Sequence, residues 1–263
     1  MIHAVMAVST SLFVLLSFIS SGLSGVSMVY FVLFLLDWVP HSFSSVSRVG
    51  VLSPVIVSWS PLLNNLVLVS LFCLFHSLLA RPSIKAAINS TLGTVDKQFS
   101  TIFAITASVL LLLISLCWQP MTHITLWSVE RWPLLQAIVK SVCVLSWLLG
   151  GLAVLSINRF QLCGGEIMAE FLFGEQKWFR VQGGLVTSGV YGLVRHPAMF
   201  FLILGLWITP VMSIGHLLIA VFMTAYVTLA VHYFEEPQLI KEFGDNYKTY
   251  MKKVPYQVIP CIK

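Results

Sequence analysis

Long stretches of this chain carry almost no charge. From Val5 to Trp38 the only charged side chain is Asp37, from Leu134 to Ile157 only Lys140, and from Ile214 to Phe234 there is none. Apolar runs of this length belong in lipid, where a helix satisfies its own backbone. Composition supports that: 10% of residues are charged, against about 25% in a soluble domain. The hydrophobic fraction is 58% and the mean hydropathy +0.92. A soluble enzyme, a disordered chain and a disulfide scaffold are excluded. The cysteines (Cys73, Cys117, Cys143, Cys163 and Cys261) are scattered and show no CxxC or Cys/His ligand spacing. They read as small apolar residues, and no metal is expected. At about 20 residues per span, 263 residues hold five or six spans. The expected fold class is all-α: a polytopic transmembrane helix bundle with a C-terminal helical hairpin and a cytoplasmic tail.

Spans are expected over about Leu62–Ala80, Phe99–Trp118, Leu134–Ile157, Val190–Thr209 and Ile214–Phe234, with a further one inside Val5–Trp38. The soft Ser20–Gly25 centre of that first run leaves open a span plus an interfacial piece, or a broken pair. Pro210 should stop the first hairpin helix and Ser213 should cap the second. Trp118, Trp127 and Trp132 suit an interfacial belt. If each segment crosses once, twelve of the fifteen Lys and Arg residues fall on one side. Arg48, Arg131 and Lys140 fall on the other. The basic side should be cytoplasmic, and it holds the C-terminus. The net charge of +5 thus describes membrane orientation; no nucleic-acid partner is expected, and the lipid bilayer is the partner implied.

The polar chemistry collects after residue 158. Arg195 and His196 precede Pro197, which fits the first turn of a helix, and a helix N-terminus favours an anion. Glu235 and Glu236 end the last span. Three and four residues after His232, they should share its helix face. An antiparallel hairpin returns the chain to its entry side, so Arg195/His196 and Glu235/Glu236 should meet at one end. Such a plus–minus constellation suits a zwitterionic ligand. His76, inside a span, is either a bonded structural histidine or a ligand contact. The chain has no Walker loop, GxGxxG, GxSxG or HExxH.

Two blocks carry a resemblance. One is Leu185-x-Thr187-x-Gly189-x-Tyr191-x-x-x-Arg195-His196-Pro197. The other is Glu235-Glu236-x-x-Leu239-x-x-x-Phe243-Gly244-x-x-Tyr247-x-x-Tyr250, followed by Val254-Pro255 and Ile259-Pro260. Together they resemble the isoprenylcysteine carboxyl methyltransferase and phospholipid methyltransferase superfamily. His76-Ser77-x-x-Ala80-Arg81-Pro82, Trp118-Gln119-Pro120 and Ser146-Trp147 resemble the nurim family within it, which takes in animal nurim and bacterial methanethiol S-methyltransferases. The likeness covers roughly residues 60–260, and the intact tail favours the catalytic branch.

The resemblance implies one integral membrane domain, with N-terminal transmembrane helices over 1–158 and a methyltransferase-like core over 159–263. It implies S-adenosyl-L-methionine as methyl donor and a small thiol as substrate, converting methanethiol to dimethyl sulfide, with no obligate protein partner. The alternatives are a non-catalytic nurim-like protein, or a methyltransferase of a lipidated cysteine or phospholipid. The implied catalytic residues are His196, Arg195, Glu235 and Glu236, with His196 the candidate base. The implied cofactor contacts are Tyr191, Arg195, His196, Pro197, Glu235, Glu236, Tyr247 and Tyr250. His76 and Met199 are substrate contacts. Met199 stands where the superfamily often has tyrosine, so this chain offers no hydroxyl there. The expected location is a bacterial inner membrane, or the nuclear envelope and endoplasmic reticulum in a eukaryote.

Overall fold

The computed structural model describes residues 2–40, 42–48, 60–157, 163–174 and 184–262. Its elements run α1 (Ile2–Leu35), α2 (Pro61–Leu79), α3 (Pro82–Leu92), α4 (Asp96–Cys117), β1 (Thr125–Ser128), α5 (Pro133–Ile157), α6 (Glu166–Phe173), α7 (Pro197–Trp207), β2 (Val211–Ser213), α8 (Ile214–Ala230), α9 (Glu236–Phe243) and α10 (Asp245–Lys253). Among the described residues, five helical runs are long and apolar enough to cross a membrane: Ser11–Leu35, Pro61–Leu79, Asp96–Cys117, Pro133–Ile157 and Ile214–Phe243. Most of the His41–Pro61 loop, and Arg159, Lys177, Arg180 and Lys263, lie outside the described residues.

The chain forms two compact units: residues 1–119 with 158–182, and residues 120–157 with 183–263. In the first, α1 is one unbroken helix packed along α4. Its soft centre stays helical because the serines find partners across the packing. Ser17 donates to the Gly164 carbonyl at 2.6 Å, Ser20 to the Cys163 carbonyl at 2.9 Å, and Ser24 pairs with Ser108 at 3.0 Å. Small hydroxyls that let helices approach and bond across the gap are common in membrane packing. Asn65 on α2 clamps the end of α4: its amide donates to the Gln119 carbonyl at 2.7 Å and accepts from the Gln119 N–H at 3.0 Å. Trp118 departs from the expected interfacial belt. It is fully buried, edge-on to Phe34 at 6.0 Å, because the Asn65 clamp at the next residue turns the chain inward. Trp127 and Trp132 are exposed.

In the second unit α5 packs along α7. Glycines permit the approach: a Cβ on Gly150 would lie 3.3 Å from the Phe201 Cβ, and one on Gly205 would lie 2.7 Å from the Trp147 indole nitrogen. The Cys143 thiol donates to the Gly205 carbonyl at 3.3 Å. β1 and β2 form a short antiparallel pair, and Ser213 caps α8 by accepting from the His216 N–H at 3.2 Å.

The hairpin's first arm is shorter than the Val190–Thr209 span expected. α7 has 11 residues, about 16 Å at 1.5 Å per residue, roughly half a bilayer core. Residues Gly189–Gly192 form a 3₁₀ turn instead. The backbone N–H groups of Arg195 and His196 then leave any helix to bond the Tyr256 and Gln257 carbonyls at 3.0 and 2.9 Å. Helix begins only at Pro197, whose missing N–H costs nothing in a first turn. The second arm is long: α8 continues through a π-turn, Val231–Glu235, into α9.

Gly205→Ala should destabilise the protein by about 1–3 kcal/mol through overpacking against Trp147. Gly151→Ala, where a Cβ meets nothing within 4 Å, should be neutral. Melting in detergent distinguishes them, and equal midpoints would refute the close-approach account.

Candidate functional site

Glu236 is the centre of the second unit's polar chemistry. Its side chain is 5% exposed, and Arg195 opposite it is 4% exposed. Arg195 Nε donates to Glu236 Oε1 at 2.9 Å and Nη2 to Oε2 at 3.3 Å, a two-pronged contact of the kind the guanidinium fork suits. Arg195 Nη1 donates to the Val254 carbonyl at 2.7 Å. Glu236 Oε1 also faces His196 Nε2 at 2.9 Å and accepts from the Tyr247 hydroxyl at 2.9 Å. The other His196 nitrogen, Nδ1, faces Glu235 Oε2 at 3.1 Å. His196 thus lies between two carboxylates, one buried and one, on Glu235, 41% exposed.

Burial alone would push the His196 imidazolium toward losing its proton. Hydrogen bonds and charge from Glu235 and Glu236 outweigh that and raise its pKa above the usual 6.5. With both nitrogens facing carboxylate oxygens, the arrangement favours the protonated, cationic ring. Burial, and then the Glu236 charge, raise the Tyr247 hydroxyl. Burial pushes Tyr250 up to about 12, with Arg195 opposing. Both tyrosines therefore act as neutral donors.

Other expected site residues lie further out, with Tyr250 edge-on to Tyr247 at 5.8 Å. Tyr250 donates to the Tyr191 carbonyl at 2.6 Å, and Tyr191 to the Ala153 carbonyl on α5 at 2.9 Å. The three tyrosines are buried and brace the cluster from behind. Pro197 opens α7. Met199 packs on the apolar core of Ile203, Val227, Val231 and Val258. A small apolar recess of about 30 Å³ is lined by Val190, Leu193, Val194, Pro197, Phe200, Phe201 and Pro260.

His76 belongs to the other unit, its ring stacked on Phe72 at 5.4 Å and tilted to Phe103 at 5.0 Å. The expected common face of His232, Glu235 and Glu236 does not form. His232 is exposed, Glu235 half-buried and Glu236 buried, because the π-turn adds a residue between His232 and the buried stripe.

Sequence reasoning missed the backbone partners: the carbonyls of Val254, Tyr256, Gln257 and Ala153. One signal was available. Pro255 disfavours helix at Val254, and α10 does stop at Lys253, freeing the tail to turn back onto Arg195.

A profile of the phospholipid methyltransferase family matches residues 142–246, a block that contains Arg195, His196, Glu235 and Glu236. Methanethiol S-methyltransferase 2 of Bradyrhizobium diazoefficiens is 33% identical over 207 residues, covering 75% of this chain and 73% of its own. Methanethiol S-methyltransferase of Pseudomonas deceptionensis is 31% identical over 198 residues, with coverages of 75% and 72%. The chain belongs to the nurim and methanethiol S-methyltransferase family. It is a membrane methyltransferase. Nurim of Xenopus laevis is 30% identical over 169 residues, which cover 62% of this chain and 57% of that one. No solved structure matches significantly.

The raised pKa of His196 carries a stability signature for this methyltransferase. A pKa higher in the folded than in the unfolded state gives stabilisation that is complete below about pH 6.5 and lost as pH rises through the raised value. The melting midpoint in detergent should therefore fall over that range, and His196→Gln should flatten the fall. An undiminished slope in His196→Gln would show that another group carries it.

Proposed function

We propose that the protein transfers a methyl group from S-adenosyl-L-methionine to a small thiol, with methanethiol the acceptor and dimethyl sulfide the product. The observation that carries this reading is the match to methanethiol S-methyltransferases over three-quarters of the chain.

The donor set suits a zwitterionic methyl donor. When bound, S-adenosylmethionine supplies an electrophilic methyl group on a sulfonium. Glu235 is the cluster's reachable carboxylate and takes the donor's ammonium. His196 and Arg195 give a cationic field for its carboxylate, and Glu236 and Tyr247 hold both cations in place. Tyr191, Pro197 and Tyr250 frame the site. The same cationic field favours a thiolate over a thiol at the acceptor, so His196 assists as a fixed charge. Met199, one turn into α7, is the acceptor-side contact.

The apolar recess supports a small acceptor. Its cavity volume of about 30 Å³ is far below the roughly 300–1,000 Å³ of drug-sized sites. A thiol that partitions into lipid reaches such a site from the bilayer. The protein is an integral membrane protein, and the charge pattern favours a cytoplasmic C-terminus.

Headspace gas chromatography of cells expressing the protein and fed methanethiol should show dimethyl sulfide above a vector control. Arg195→Ala and Glu235→Ala should each lower it at least roughly 100-fold, as expected where a charged contact of about 3 kcal/mol is lost. No product from well-expressed protein would refute the thiol reading and favour a nurim-like non-catalytic role or a lipid acceptor.

A further inference from the structure

Glu235 and Glu236 are neighbours in sequence, yet one is buried on Arg195 and the other sits at the rim. The helix that carries them explains the difference. Along α8 the buried positions recur every fourth residue, at Met223, Val227 and Val231. The next buried residue is Glu236, five after Val231. A regular α-helix would put Glu235 on that stripe and turn Glu236 off it by about 100°.

The extra residue is absorbed in the π-turn Val231–Glu235, where the Glu236 N–H bonds the Val231 carbonyl five residues back. The cause lies one position on. Pro237 has no N–H to give the Tyr233 carbonyl, and in a continuous α-helix its ring would press on that carbonyl. Widening the turn relieves the clash, and π-turns of this kind often occur at functional sites. Tyr233 and Phe234, which bulge outward there, are 63% and 51% exposed.

We infer that Pro237 is a positioning residue: it enforces the π-turn and thereby selects Glu236, in place of Glu235, as the buried partner of Arg195 and His196. Glu235 is left at the rim, paired with His196 Nδ1 and half-exposed, within reach of a ligand. The inference rests on the reading of this cluster as the methyl donor's site for its catalytic meaning, but its geometry can be tested without turnover.

The test compares two substitutions in two backgrounds, by melting in detergent and by methyl transfer. In the native background Glu236→Gln should lower the midpoint by roughly 5 °C or more, since it strips a buried cation of its partner, and Glu235→Gln should do less. In Pro237→Ala a regular helix becomes available, the stripe slips by one residue, and the order should invert, Glu235→Gln now costing more. Removing Tyr233 as well should restore the native order, because Glu236 then follows Val231 by four residues in a plain α-helix. If Pro237→Ala alone fails to fold, recovery of folding and of the native order by the Tyr233 deletion supports the inference. Continued failure to fold overturns it, as does an unchanged order in a folded Pro237→Ala. Inversion of the melting order without detectable methyl transfer in the native protein would uphold the register and sink the thiol reading.

Discussion

The second unit is organised around a buried ion pair. Removing Arg195 and Glu236 from water costs several kcal/mol per ion, and Coulomb attraction offsets that only with good geometry and satisfied neighbours. Here both conditions hold. Glu236 accepts from Arg195 at two oxygens and from Tyr247, and faces His196. The remaining guanidinium nitrogen finds the Val254 carbonyl. Each partner comes from a different stretch of chain, so the pair fixes the 3₁₀ turn, α9, α10 and the residues after α10 together. What the sequence presents as a hydrophilic tail is part of the unit's interior at Tyr247, Tyr250, Val254 and Val258.

That cross-bracing also accounts for the unequal hairpin. If residues 190–196 stayed helical, the N–H groups of Arg195 and His196 would point along the helix and the Tyr256 and Gln257 carbonyls of the tail would lose their two backbone donors. Starting α7 only at Pro197 places Arg195 and His196 on non-helical backbone, where their side chains reach the carboxylates of the long arm. The short arm gives up a full crossing and positions charge at the end of an apolar hairpin.

Periodicity and charge placement made much of this legible. Long uncharged runs locate α1, α2, α4, α5 and α8, and proline and serine mark the turn before α8. Antiparallel return alone brings Arg195 and Glu236 to one end. Two features were beyond such reading for definite reasons. Hydropathy does not distinguish the apolar residues of a 3₁₀ turn from those of a helix, so Val190–Val194 looked like span. The register of the acidic pair depends on one residue's worth of helical phase, and a helical-wheel argument that assumes 3.6 residues per turn places His232 beside both glutamates. Pro237 was the visible warning, since a proline one turn into an expected helix end signals that the phase will break. The buried Trp118 misled in the same way: tryptophan after an apolar run suits an interface by composition, and only the Asn65 clamp on its neighbour turns it inward.

Charge balance connects this architecture to its chemistry. With His196 protonated, Arg195, His196, Glu235 and Glu236 sum to zero, which is how four ionisable groups are tolerated beside so much apolar surface. A bound zwitterion leaves that sum unchanged, because its ammonium and carboxylate add equal and opposite charge. The sulfonium of the proposed methyl donor would add one positive charge, which a thiolate would cancel. The proposed methyl transfer would remove both charges together and leave a neutral sulfide. Such a reaction needs fixed dipoles and alignment more than it needs a mobile proton. A histidine held as a cation between two carboxylates, itself backed by a buried Arg–Glu pair, provides a field that does not reorganise as the charges disappear.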